Sequence, residues 1–215
     1  METNVRSYHM ATIGRDPSVS RGQRTRRAIL DASYRLFVKQ GFAATSMRDI
    51  AVRSRVALGG IYNHFSSKEA IFRTIIEGRH PLLEIIPLLG SVEGDTVESF
   101  VRNAAHTLVD QLGRHPDFLN LMLIEIVEFK ARHLPRLFEK FLPLITPLSQ
   151  RITSARGSLR TIPAPVLARA FLGLFFSYYI TETILSRSIL PEMSAGGIDH
   201  FVDIFLHGVL KEARP

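Results

Sequence analysis

Apolar residues recur three and four positions apart along most of the chain, and this spacing constrains the fold more than any other feature. In the segment 21–40, Ile29, Ala32, Leu36 and Phe37 fall on one face of a helix. An alternation of apolar and polar residues, which would indicate a strand, never extends beyond four residues. The sequence therefore predicts an all-α fold.

Further helices are predicted between breaks rich in proline and glycine. Ser46 and Asp49 have the spacing of a capping box at a helix start, and Ser66 with Glu69 repeats it. Pro143 and Pro147 fall inside one predicted helix, which we expect to be kinked or broken there. The predicted helices after the first one run over about 46–54, 58–65, 67–79, 96–113, 117–130, 134–155, 164–188 and 197–212.

The net positive charge of the chain is confined to its first third. Residues 1–70 contain 12 Lys and Arg but only 5 Asp and Glu, whereas residues 71–215 contain 15 of each kind. A polyanion is the expected partner of such a segment, because each phosphate contact releases condensed counterions. Since residues 1–20 show no periodicity, we interpret them as a disordered basic arm.

Composition excludes several classes of protein. The chain contains no cysteine, so a disulfide, a thiol nucleophile or a thiolate metal site is impossible. The apolar run 171–180 is predicted to be too short to cross a bilayer, and the N-terminus lacks a secretory signal, so a cytoplasmic protein is expected. His200, Asp203 and His207 fall near one helical face, but such a set is common by chance, and no metal or cofactor is predicted.

Residues 46–65 have the features of a helix-turn-helix. Ala51 is small enough for two helices to cross, Val56 would be buried in the turn, and Ile61 would anchor the second helix. This motif places the exposed start of its second helix in the major groove of DNA. The alternative is an ordinary helical hairpin whose basic residues are merely solvated.

The sequence TRRAILDASYRLFVKQGFAATSMRDIA at 25–51, followed by GGIYNHFSSKEA at 59–70, resembles the TetR family of bacterial regulators. The resemblance extends over about Thr25–Ile76. It implies a homodimer with a three-helix DNA-binding domain at 21–67 and a helical-bundle domain for effector binding and dimerisation at 68–215. It also implies a transcriptional repressor that a small, largely apolar effector releases from a palindromic operator.

The resemblance further implies which residues contact DNA. The start of the first motif helix would face a phosphate, the second helix would enter the groove, and a lysine would bind the backbone. The corresponding positions are Thr45, Ser46, Met47, Arg48, Leu58, Gly59, Gly60, Tyr62, Asn63, His64 and Lys68.

Two positions depart from the family pattern. Arg55 stands where the turn usually has glycine, so we expect a non-glycine residue at positive φ, at a cost of about 1 kcal/mol. Gly60 replaces a serine, threonine or alanine, which removes one side chain that could contact a base. The two adjacent glycines should also weaken the helix, by about 1 kcal/mol each relative to alanine.

The C-terminal two thirds of the chain is read as a sensor and a dimer interface. The helices at 164–188 and 197–212 are apolar around most of their circumference, as expected for core or interface helices. Polar residues on apolar helices are candidates for an effector pocket, although each could equally be a core or surface residue. The candidates are His106, Glu125, Glu128, Phe175, Tyr178, Tyr179 and Glu182.

Two other functions remain open at this point. A DNA-binding architectural or cell-division factor could have the same fold and no small-molecule effector. A helical enzyme with a basic tail is the other possibility, but the sequence contains no phosphate loop, HExxH motif or nucleophile elbow. An enzyme is therefore not predicted.

Overall fold

The computed structural model describes residues 20–157, 159–183 and 197–210, and most of these residues lie in α-helices. The all-α prediction is confirmed. The arm predicted at 1–20 lies outside the described residues except for Ser20, whose hydroxyl accepts a hydrogen bond from the backbone N–H of Gln23 and so caps the first helix. The helices are α1 Arg21–Gln40, α2 Met47–Ser54, α3 Leu58–Tyr62, α4 Lys68–Gly78, α5 Leu82–Gly90, α6 Val97–Gly113, α7 Phe118–Val127, α8 Leu134–Ser154, α9 Ala164–Thr181 and α10 Gly197–Val209.

The first four helices share one apolar core, which we call the head cluster. Ile29 and Phe37 from α1 meet Ile50 from α2 and Ile61 from α3, and all four side chains are fully buried. The head cluster also contains Leu30, Phe65, Ile71, Phe72, Ile75, Ile76, Ile86, Leu121, Ile124, Phe129, Leu137 and Phe141. Helix α4 therefore packs as part of the head, although the sequence assigned it to the second domain.

Residues from α7, α8 and the loop between them complete the head cluster. The Phe129 ring lies 4.7 Å from the ring of Phe42, which follows α1, and 4.8 Å from the ring of Phe72 on α4. Arg132, three residues further on, forms an ion pair with Glu69 on α4. The N-terminal and C-terminal helices thus share a single apolar core at this contact.

Helices α6 and α9 lie at the centre of a second cluster, the body cluster. Phe100 and Leu108 of α6 pack with Phe171 and Phe175 of α9, and Phe205 of α10 closes the layer. Helix α9 is 18 residues long and apolar enough to cross a membrane by length and composition alone. The run 171–180 lies inside this helix, as the predicted helix over 164–188 implies, so the run alone understates the apolar length of α9. In this fold α9 packs against α6, α8 and α10 as a core helix does.

Prolines interrupt fewer helices than the sequence predicted. The sequence predicts no helix between 79 and 96, yet α5 lies there, with Pro81 immediately before it and Pro87 inside it. Helix α8 is likewise unbroken through Pro143 and Pro147. An interior proline costs about 3 kcal/mol. Burial of Ile85, Ile86 and Leu89 contributes roughly 2 kcal/mol each and outweighs that cost in α5.

Candidate nucleic-acid interface and interior cavity

The helix-turn-helix has the predicted internal packing. Ile61 is fully buried in the head cluster, and Met47, Ala51 and Val56 are partly buried against it. The predicted capping box at the start of α2 is present, since Ser46 Oγ accepts from the Asp49 N–H and the Asp49 carboxylate accepts from the Ser46 N–H. The Ser46 hydroxyl also donates to the Asp49 carboxylate, and this bond, together with that from the Ser46 N–H, holds the pKa of Asp49 below its usual value.

Arg55 has the left-handed backbone conformation predicted for it, with φ 57° and ψ 35°. Its N–H donates to the carbonyl of Val52, and the next N–H, that of Val56, donates to Ala51. These bonds end α2 and direct the chain into α3. They offset the cost of about 1 kcal/mol for a non-glycine residue in this region.

The exposed surface of the motif contains several of the predicted DNA-binding residues. Arg48 and Asn63 are exposed, and Tyr62 retains 52% of its surface. Met47, Leu58 and His64 are half-buried beside them. Helix α3 ends at Tyr62, three residues earlier than predicted, so exposed Asn63 lies just beyond it.

The two glycines of α3 have different surroundings. A Cβ atom at Gly59 would meet nothing within 4 Å, whereas one at Gly60 would lie 3.1 Å from Val56 Cγ1. A side chain at Gly60 would thus press on the turn unless Val56 shifted by a few tenths of an ångström. That Gly60 removes one base contact stays a prediction. Gly59 is the position where the missing side chain leaves open space toward solvent.

Thr45 and Ser46 are less available to a phosphate than predicted. Thr45 is buried, and its hydroxyl donates to the Gly41 carbonyl at 2.8 Å. Ser46 donates both its N–H and its hydroxyl to Asp49 Oδ2, which also places a negative charge at this helix start. Thr45 is thus a structural residue of the loop after α1, because its only hydroxyl proton is already used.

Lys68, predicted to bind the DNA backbone, is bonded to carbonyls of the protein itself in this structure. Its Nζ donates to the carbonyls of Phe42 and Thr45, each at 2.6 Å, and to that of Ala43 at 3.4 Å. It also lies 4.2 Å from the centre of the Phe42 ring. An ammonium group has three protons, and all three are used by the loop between α1 and α2. Lys68 fixes this loop against α4.

A cavity of about 690 Å³ lies between α5, α6, α7, α8 and α9. Its size is that of a site for a drug-sized molecule, and its wall is mostly aliphatic and aromatic. The lining residues are His80, Leu82, Ile86, Leu108, Leu112, Phe118, Met122, Leu134, Leu137, Phe138, Phe141, Leu142, Ile145, Thr146, Ser149, Pro165, Arg169, Leu172, Gly173 and Phe176.

The seven residues predicted for an effector pocket do not line this cavity. Phe175, Tyr178 and Tyr179 are buried in the packing around α9, with Tyr178 against Phe201. His106 is half-exposed and bonds Asp199 on α10. Glu182 is half-buried beyond the end of α9. Apolar helices place polar side chains on several faces, and helical periodicity alone does not show which face borders a cavity.

The two remaining candidates, Glu125 and Glu128, lie near the head. Glu125 is fully buried, and its carboxylate accepts from both the backbone N–H and the ring Nδ1–H of His133, at 2.7 and 2.8 Å. It therefore shapes the loop that carries Phe129. Glu128 is exposed, and its charge raises the pKa of Lys68, opposing a larger lowering by burial.

The cavity residue most perturbed by its surroundings is His80, which the sequence analysis missed. Its ring packs edge-on against Phe118 and Phe141, with centroids 5.0 and 5.2 Å away. Burial lowers its pKa to about 4, so the ring is neutral at pH 7. Its Nδ1 accepts the Leu82 N–H at 3.2 Å, which leaves the proton on Nε2. The sequence signal was a histidine and a proline directly before an apolar helix.

Comparison with known proteins agrees with this geometry. Residues 29–75 match the family model of bacterial regulatory proteins of the TetR family. The uncharacterised HTH-type transcriptional regulator YvkB of Bacillus subtilis is 22% identical over 86% of this chain and 97% of its own length. The HTH-type transcriptional repressor KstR2 of Rhodococcus jostii is 40% identical over 63 residues, or 29% of this chain and 30% of that protein.

Solved structures share the fold over nearly the whole chain. A proposed TetR-family regulator from Mesorhizobium loti superimposes with a TM-score of 0.71 at 22% identity, covering 90% of this chain and all of the other. The fatty acid degradation regulator FadR from Bacillus halodurans gives 0.62 at 14% identity, covering 85% and 94%. The fold and the exposed motif define a helix-turn-helix transcriptional regulator rather than an enzyme. Residues 29–75 carry the sequence pattern of the TetR family of bacterial regulatory proteins, and the chain as a whole has the fold of solved structures described as TetR-family regulators.

Replacement of Lys68 by methionine should destabilise the protein by about 1–3 kcal/mol. The loss arises because the carbonyls of the α1–α2 loop lose their charged donor while they stay partly buried. Urea unfolding of the full chain measures the change. Lys39→Met, at an exposed site in the last turn of α1, is the matched control and should change stability by less than about 0.5 kcal/mol. Equal stability of the two variants would contradict the structural role of Lys68.

Stability should depend on the charge of His80 between about pH 6.5 and pH 4. The unfolded chain binds a proton at this histidine in that range and the folded chain does not, so acidification favours unfolding. The loss from this group should reach about 3 kcal/mol at pH 4. His80→Phe retains an aromatic ring and cannot titrate. Urea unfolding from pH 7 to pH 4 should therefore give a shallower pH dependence for the variant, and parallel curves would show that His80 is not buried neutral.

Proposed function

We propose that the chain is a homodimeric repressor that binds a palindromic operator and is released from it by a small, largely apolar effector. The observation that carries the DNA-binding part is the exposed surface formed by Arg48, the start of α3 and Tyr62, held on a fully packed head. The excess of basic residues in the first third of the chain supplies attraction to phosphate. Because its DNA is in the bacterial cytoplasm, we assign the protein to that compartment.

The repressor role is supported by one relative and by the effect that a bound protein has on transcription. KstR2, which is similar over a short segment, is named as a transcriptional repressor. Occupying an operator next to a promoter is itself sufficient to block transcription. A dimer would read a two-fold symmetric operator with one motif on each half-site.

Apolar surface on the last two helices supports a homodimer through α9 and α10. Val166 on α9 retains 54% of its surface, and Ile204 on α10 retains 64%. Leaving such side chains in water forgoes the free energy of their burial. A second copy of the chain would cover them. The part of the predicted interface at 184–188 and beyond 210 lies outside the described residues.

The wall of the cavity supports an effector response that reaches the head. Leu137 and Phe141 of α8 line the cavity and belong to the head cluster. A ligand that moves α8 would therefore move side chains packed against α4. Such a ligand weakens DNA binding only if it binds the released state more tightly than the DNA-bound state.

A DNA-binding architectural or cell-division factor without an effector remains the second candidate. The cavity favours the ligand-responsive function, since a fold used only as a scaffold has no need of 690 Å³ of largely apolar interior space. A measurement of DNA binding with and without a small molecule distinguishes the two functions. An effector releases the repressor from its operator, whereas no small molecule releases the architectural factor.

Binding to DNA from upstream of its own gene tests the proposed function. Fluorescence anisotropy of labelled duplex, titrated from low to high salt, should show tight binding with a steep salt slope and preference over random duplex of equal length. Arg48→Ala should weaken binding to both duplexes and lower the salt slope by about one. Arg136→Ala, at an exposed site on α8, should leave the slope unchanged.

Equal affinity for both duplexes would favour the architectural function. Absence of binding to either duplex at low salt would show that the head does not bind DNA. Failure of Arg48→Ala to change the salt slope would remove this residue from the proposed phosphate contacts while leaving the other results standing.

Ile204→Asp should convert the dimer to a monomer. A carboxylate in the proposed apolar interface would weaken association by about 3 kcal/mol, which is on the order of 100-fold. Size-exclusion chromatography with light scattering measures the mass at fixed protein concentration. The control is Leu123→Asp, because Leu123 is also exposed, at 57%, but lies on α7. A dimeric Ile204→Asp protein would place the interface elsewhere, and a monomeric control would place it on α7.

A further inference from the structure

Within the described residues, the cavity wall contains a positive charge and no negative charge, and this affects which ligands it can bind. Arg169 of α9 is the one charged side chain among the described residues that line it, and no carboxylate lies in the wall. Arg169 is exposed and, within the described part of the chain, has no ion-pair partner. A cation in this cavity would meet only an arginine, whereas an anion would find its counter-charge at the rim.

The polar groups are distributed from one end of the cavity to the other. Buried His80 packs on Phe118, whose ring lies 5.7 Å from that of Phe176 on α9. Exposed Arg169 precedes Phe176 by two helical turns, about 10 Å along the axis of α9. Thr146 and Ser149 use their hydroxyl protons within α8, on the carbonyls of Leu142 and Thr146. They therefore contribute little charge or donor capacity to a ligand.

The buried end suits an uncharged group. His80 is neutral, and its Nε2–H has no hydrogen-bond partner among the described residues. A negatively charged group placed beside His80 would lose its water of hydration and would gain a hydrogen bond from only one neutral donor. The same charge beside Arg169 would keep contact with water and gain an ion pair.

We propose that this cavity binds a singly charged anionic amphiphile, with its apolar chain inside and its acidic head group at Arg169. This inference names the chemical class of the effector and so rests on the proposed function. The aliphatic and aromatic wall accounts for the affinity of the chain, and Arg169 accounts for the preference among head groups.

Three probes with the same eight-carbon chain separate these contributions: octanoate, 1-octanol and octylammonium. Isothermal titration calorimetry on the full-length protein at pH 7 should rank octanoate tightest and octylammonium weakest. Arg169→Gln should weaken octanoate by about fivefold and leave octanol unchanged, since the ion pair is solvent-exposed. Arg136→Gln, which removes an exposed arginine from α8 outside the cavity, should leave all three affinities as in the unmodified protein.

Gly173→Phe tests whether the probes bind in this cavity. Gly173 lies in the cavity wall, and a Cβ atom there would meet nothing within 4 Å, so a phenyl ring can fill the cavity without displacing backbone. Binding of octanoate should be lost while unfolding curves show a folded protein. Unchanged binding would place the ligand elsewhere and overturn the inference.

Other outcomes also overturn it. These are equal affinity for octanol and octanoate, tighter binding of octylammonium, no binding of any probe, or no effect of Arg169→Gln. None of these outcomes changes the DNA-binding measurements. The proposed class of ligand can therefore be wrong while the proposed DNA-binding function is correct. Conversely, octanoate bound through Arg169 without release of DNA would support the inference and contradict the effector response.

Discussion

The packing of α8 between the cavity and the head is the contact on which the rest of this structure depends. The head cluster is not closed by α1–α4 alone, because Leu121, Phe129, Leu137 and Phe141 fill part of it. Two of these residues, Leu137 and Phe141, also line the cavity. Cores are close-packed, so a change of volume on one side of α8 must be accommodated on the other. Ile86 of α5 also belongs to both, so the head and the cavity are neighbours through α5 and α8.

A second constraint holds the DNA-reading motif at a fixed angle to α4. Lys68, the first residue of α4, binds the carbonyls of Phe42, Ala43 and Thr45 just before α2 begins. Phe42 in turn packs on Phe129 from the C-terminal helices. The loop before α2 is thus held from both sides. A shift of the α7–α8 loop would reach the motif without passing through the length of α4.

Sequence reasoning identified the head well because its signals are local. Helical spacing gave α1 within its observed bounds, the Ser46–Asp49 spacing gave a real capping box, and Arg55 has the positive φ that its place in the turn required. The second predicted box at Ser66 and Glu69 was displaced by one residue, because Ser67 caps α4 by accepting from the Ala70 N–H. Capping is decided by which residue is extended, and that depends on the preceding turn.

The roles of Lys68, Thr45 and the pocket residues could not be predicted, because they depend on contacts between distant segments. Nothing local to Lys68 shows that the carbonyls of residues 42–45 lie within reach, 23 to 26 residues earlier in the sequence. The cavity likewise exists only where five helices fail to fill the space between them. A histidine before α5 and an arginine on α9 then line the same cavity. Their chemistry follows from the geometry: the histidine is neutral because it is buried, and the arginine is exposed, where a counter-ion can reach it.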